Sequence, residues 1–212
     1  MKFLNLVAGV LASFVIAASG SAAVVYQNGT LNGAFSAESI GPDQAVSNSF
    51  SLSSASRLTS ATIGLWTAPE TSPFVLTWSI GTSAFANNIG GGTTSLSNVF
   101  AFNNGVFDIY LSSFGLDVTV GAGEYWLTLT DGLTNLGGRL FWDVNGGPSQ
   151  AQFRNAQGTG MLNDSEYFML EGVTATDPGP GPNPVPEPVS MMLLAVGMIG
   201  VAASRRRYHK AA

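Results

Sequence analysis

The sequence predicts an all-β fold, an antiparallel β-sandwich of jelly-roll-like type. Three observations predict it. Apolar residues recur at every second position in run after run. Gly- and Asn-rich breaks separate the runs. Between the two ends the chain is rich in Gly, Ser, Thr, Asn, β-branched and aromatic residues, with no stretch that reads as a long amphipathic helix. A hydrophobic segment flanks this region on each side, read as an N-terminal signal helix and a C-terminal sorting helix.

The elements follow in chain order. Met1-Lys2 is a short positive start, Phe3–Ala18 an apolar run, and Ser19–Ala23 a string of small residues with Ser21 and Ala23 at the −3 and −1 positions. This is the form of a secretory signal peptide, residues 1–23, cleaved before Val24 by the export machinery, with the Sec translocon as its partner. Residues 24–173 form the domain, long enough to bury one core. Its first run alternates Ala61, Ile63 and Leu65 with Thr62 and Gly64, and a second sets Phe74, Leu76, Trp78 and Ile80 against Val75, Thr77 and Ser79. Phe107, Ile109 and Leu111 make a third, and Leu116, Val118 and Val120 a fourth. Tyr125, Leu127 and Leu129 follow, then Leu140, Trp142 and Val144, and Glu166–Val173 is the last run. Gly90-Gly91-Gly92, Asn103-Asn104-Gly105, Gly121-Ala122-Gly123 and Asn145-Gly146-Gly147 supply the breaks.

Composition excludes several chemistries. The chain has no cysteine, and its one histidine, His209, lies beyond the C-terminal apolar run. Residues 24–173 therefore hold no Ser-His-Asp triad, no Cys-His dyad and no thiolate or imidazole metal site. Between Val24 and Pro188 three arginines (Arg57, Arg139, Arg154) stand against thirteen acids, a net charge near −10. Such a surface repels phosphate backbones and anionic lipid, so no nucleic-acid partner is expected.

Three candidate activities survive. Glycoside hydrolysis needs only two facing carboxylates, and Glu124, Asp131, Asp143 and Glu166 are available, though their spacing fixes no facing pair. Sugar stacking needs an exposed aromatic, and Trp66, Trp78, Trp126 and Trp142 are the candidates. Alternation puts Trp78 and Trp142 among aliphatic neighbours and Trp126 with Glu124, Thr128 and Thr130, so Trp126 is the candidate glycan-stacking residue, unless the second sheet face is covered as well. No cofactor is expected. Calcium held by oxygens of Asp143, Asn145 and Asp164 is the alternative, but the loop lacks a downstream Glu at the required spacing, and an ordinary Asn-Gly turn is the preferred reading.

Beyond Thr174 a Pro/Gly-rich stretch, residues 174–184, reads as a solvated extended spacer. Residues 185–212 then carry Pro186-Glu187-Pro188, an apolar run Val189–Ala203, and Arg205-Arg206-Arg207. With Ser204 the run has 16 residues, about 24 Å of helix against a bilayer core of about 30 Å, short for a permanent anchor. The arginines would stay cytoplasmic and leave the domain outside. The order of these three elements resembles the PEP-CTERM sorting signal of Gram-negative bacteria. The resemblance implies an exosortase, a membrane cysteine peptidase, as processing partner, a precursor held transiently in the inner membrane, and a setting in surface or biofilm polysaccharide matrix. Gly121–Asp143, with Gly123-Glu124-Tyr125-Trp126-Leu127-Thr128-Leu129 and Leu140-Phe141-Trp142-Asp143, also resembles the β-rich domains that precede such tails. The expectation is a non-enzymatic surface or matrix protein, with a glycan-binding module or a carboxylate-dependent glycoside hydrolase as alternatives.

Overall fold

The computed structural model describes residues 22–34 and 36–175. Fourteen strands make up this region: β1 (Ala23–Asn28), β2 (Ala37–Ser39), β3 (Gln44–Leu52), β4 (Ser56–Thr67), β5 (Pro73–Gly81), β6 (Gly90–Ser95), β7 (Ser97–Asn103), β8 (Asp108–Val120), β9 (Gly123–Thr134), β10 (Phe141–Asn145), β11 (Ala151–Asn155), β12 (Gly158–Met161), β13 (Ser165–Glu166) and β14 (Phe168–Thr174).

They form two antiparallel sheets. In the eight-stranded sheet, β8 carries β7 on its outer side and pairs along β4, whose opposite edge is shared by β14 and β10. β14 in turn carries β1, and β10 carries β2 and β13. The second sheet runs β12-β11-β3-β9-β5-β6. Alternation explains the core between them. Leu58, Ile63 and Leu65 of β4, Leu76, Trp78 and Ile80 of β5, Leu127 and Leu129 of β9, and Trp142 of β10 all point inward and join one buried cluster with Phe50, Phe168 and Leu170. The expected antiparallel sandwich is what the described residues form. Among them no helix is long and apolar enough to cross a membrane. The proposed signal helix, the spacer beyond Ala175 and the tail with its apolar run lie outside the described residues.

Two expectations change. The runs at 107–111 and 116–120 are parts of one strand, β8. They looked separate because the apolar residues change parity between them. In the folded chain Phe114, Leu116, Val118 and Val120 enter the main core. Ile109, fully buried, belongs to no part of that core and pairs with Trp66 on β4. One strand thus feeds two clusters, and a register shift at Leu58/Ser60 of β4 keeps the ladder paired. The second change is Phe74, which is 55 % exposed instead of joining Leu76, Trp78 and Ile80. Register shifts at Pro73/Val75 and Val75/Thr77 put the start of β5 out of phase with the rest.

Candidate functional site

The second buried cluster lies on the face of the eight-stranded sheet that points away from the core, and Asp143 is at its centre. Asp143 follows Trp142 on β10, so its side chain takes the opposite face, where it is fully buried. Its Oδ1 accepts from Trp66 Nε1 at 2.7 Å and from the Gly33 backbone N–H at 2.9 Å. Its Oδ2 accepts from the Asn32 N–H at 3.1 Å. The carboxylate therefore clasps the loop after β1 down onto the sheet. Gly64 permits the fit, because a Cβ there would meet Leu31, Asp143 and Tyr167. Gly33 sits in the left-handed region, at φ +58°, which aims its N–H at the carboxylate without a side-chain penalty. Trp66, Phe107 and Phe141 stack in sequence beside it, with centroids 5.6 and 6.0 Å apart. Burial pushes the Asp143 carboxyl up from its ordinary range, and the three donors pull against it.

A polar network continues to the end of β10. Asn145 Nδ2 donates to the Asn28 carbonyl at 2.6 Å, and its Oδ1 accepts from Ser165 Oγ and the Gly147 N–H, each at 3.0 Å. Asn28 and Asn48 both donate to the Glu166 carbonyl. These oxygens already face donors. Asp143 and Asn145 thus spend these oxygens on donors within the fold. Among the described residues no group of three or more acids is placed to hold a metal ion. A shallow recess of about 270 Å³ lies outside this network, lined by Val144, Asn145, Gly146 and Asp164.

Glu166 is the outlier of the region. It is fully buried, and neither carboxylate oxygen has a hydrogen-bond partner. Burial first, then repulsion by Glu38, Asp143 and Asp164, holds its carboxyl well above the usual carboxylate range. The native state therefore keeps a proton that the unfolded chain releases above about pH 4.3. Stability from this residue is present below that pH and is lost as pH rises toward the native value. Glu166→Gln is expected to be more resistant to urea than the wild type at about pH 8 and close to it at about pH 3.5. An equal midpoint at both pH values would contradict the assignment of a proton to Glu166.

The four candidate acids do not gather at one exposed site. Glu124 and Asp131 are exposed on β9 and apart from the rest, while Asp143 and Glu166 are neighbours on the paired strands β10 and β13, both buried. Trp126 takes the face opposite the core, as alternation indicates, but it is only 8 % exposed and offers no free ring to a sugar. The second face is covered. The segment Thr82–Asn88 folds across it, with the Phe85 N–H on Ser47 Oγ at 3.3 Å, Ser79 Oγ on the Ala86 carbonyl at 3.4 Å, and the Arg154 guanidinium 4.6 Å above the Phe85 ring. Ser47 and Thr128 hydroxyls join at 2.9 Å beneath it. Trp66, one of the four tryptophans that could stack on a sugar ring, is instead buried against Asp143 and Phe107. The odd-parity aromatics Phe107 and Phe141 mark this second apolar face.

The residues expected to mark processing lie at the margins of the described chain. Ala23 opens β1 opposite Gly172 of β14, so the start and the end of the domain leave the same end of the sheet as antiparallel neighbours. Ser21, Pro186, Glu187, Pro188 and Arg205–Arg207 lie outside the described residues. No curated protein matches the chain. Residues 184–207 match the family model of the PEP-CTERM protein-sorting motif. That motif implies export toward the cell surface and sorting by an exosortase, a membrane protein. The chain is a protein that carries a PEP-CTERM sorting motif behind an all-β sandwich.

Proposed function

We propose that this is a non-enzymatic surface or exopolysaccharide-matrix protein of a Gram-negative bacterium, delivered through the Sec route and cut at Pro186-Glu187-Pro188 by an exosortase. The observation that carries the reading is the sorting motif at residues 184–207, set after a spacer and a folded domain. The apolar run holds the precursor in the inner membrane until the cut, with Arg205–Arg207 on the cytoplasmic side. The non-enzymatic part rests on the absence of His and Cys from residues 24–173 and on the burial of Asp143 and Glu166. Burial of Trp126 disfavours a glycan-binding module built on that residue.

Intact mass of the protein released from the cell surface is expected to lack Val189–Ala212. Cells without the peptidase should retain the full tail, as should a variant with Pro186, Glu187 and Pro188 all replaced by alanine. Full-length chain recovered from the surface of cells with an active exosortase would overturn the proposal.

A further inference from the structure

We infer that the side of the sandwich edged by β6 and β7 is a self-association surface, on which a second copy of this chain pairs its own β7 antiparallel to the first. β7 pairs with β8 on one side, and no described strand covers its other side. Its outward N–H and C=O groups are thus an open ladder. Six of its seven residues are exposed, Asn98 being the half-buried exception. Val99 is 65 % exposed, Phe100 54 % and, in the turn beyond, Val106 64 %. Phe74, also exposed, lies at the Leu96 end of β7, where its carbonyl accepts the Leu96 N–H. Half of the large exposed apolar residues among those described fall between Val99 and Val106. Solvated single apolar residues are ordinary, but a contiguous patch on an open strand marks an interface.

Charge selects the occupant. From Thr71 through Phe107 the chain has no Asp, Glu, Lys, Arg or His, and this stretch supplies β5, β6 and β7. The rest of the exported chain is strongly acidic, so two copies repel each other over most approaches. Wall against wall is the approach that brings no acid onto an acid, because a two-fold axis near Asn98 and Val99 carries the Asp108 beside each Asn103 to opposite ends. An anionic lipid surface meets the repulsion without that relief, and a basic partner finds no acid within β5, β6 or β7, only Asp108 at the Asn103 end of β7, already bonded to the Asn103 amide. A two-fold axis makes the same uncharged strand both donor and acceptor of the new ladder. The register shift at Phe100/Phe102 limits regular pairing to Ser97–Phe100, so the axis falls near Asn98 and Val99.

The test uses the exported protein recovered from outside the producing cells. Sedimentation across a concentration series should show a monomer–dimer equilibrium. Val99→Lys should give monomer with an unchanged circular dichroism spectrum, because that side chain is 65 % exposed. Leu136→Lys, 76 % exposed and outside the wall, should leave the dimer intact. The chain has no cysteine of its own, so single cysteines at Ser97, Val99 and Ala101 report proximity directly. Oxidation should link copies most efficiently at Val99 and not through Leu136→Cys. A monomer at every concentration would overturn the inference. So would a dimer that survives Val99→Lys without crosslinking on β7, or a monomer that sediments with anionic vesicles.

Discussion

Replacing Trp126 by alanine is expected to destabilise the domain by about 3–5 kcal/mol, the usual cost of truncating a buried tryptophan. Its side chain is on the face that alternation marks as polar, yet it is 8 % exposed. Its backbone neighbours are Ser49 on β3 and Gly81 on β5, at the point where Thr82–Asn88 turns back over the sheet. Removing the indole empties its buried volume on a face whose other side chains, Ser47, Ser79 and Thr128, are too short to fill it. Urea denaturation should show the lower midpoint. Because the residue presents no free ring, any retention of polysaccharide by the wild type should survive in whatever fraction of the variant remains folded. A midpoint within about 0.5 kcal/mol of wild type, the range of ordinary surface substitutions, would mean that the segment does not seal this face.

The same residue shows where sequence patterning stops being informative. Alternation says which face of a strand a side chain takes, and for Trp126, Trp78 and Trp142 the faces are as read. It does not say whether something else lies on that face. Both outer faces here are partly covered by loops, Gly29–Ala34 on one sheet and Thr82–Asn88 on the other, and neither loop has a periodic signal. β3 lacks a clean apolar alternation for a related reason. Val46, Phe50 and Leu52 alternate with Ser47, Ser49 and Ser51, but Asn48 occupies the fourth inward position and breaks the apolar series. Its amide is buried because Ser149 and the Glu166 carbonyl satisfy it, partners more than a hundred residues away that no local window contains. The edge strands β6, β7 and β12, and β11 just inside β12, hold few or no fully buried side chains, so the pattern that identifies a half-buried strand is weak in them. The sorting tail was legible from the sequence for the opposite reason. Its meaning rests on a linear order of short elements and needs no tertiary partner.

Asp143→Ala is expected to cost about 3 kcal/mol or more, and to release one loop in particular. The substitution removes the common acceptor of three donors, Trp66 Nε1 and the backbone N–H groups of Gly33 and Asn32. Each buried donor left without a partner costs about 1–3 kcal/mol. The three do not all keep that cost, because the loop can lift and let water reach the Asn32 and Gly33 amides. Trp66 Nε1 is held by its strand and cannot follow. The loss therefore divides between lower global stability and local opening of Gly29–Ala34. Amide exchange should show faster exchange at Asn32 and Gly33 well before the strands of the main core exchange. Asp143→Asn should behave differently. Its carbonyl oxygen can still accept from Trp66 and Gly33 at the Oδ1 position, while its NH2 meets the Asn32 N–H donor head-on. That variant should keep the Trp66 environment by near-ultraviolet circular dichroism and lose chiefly the Asn32 bond, at about 1–3 kcal/mol. If Asp143→Ala unfolds at the wild-type urea concentration with Gly33 still protected, Asp143 is not the clasp that closes the loop over the sheet.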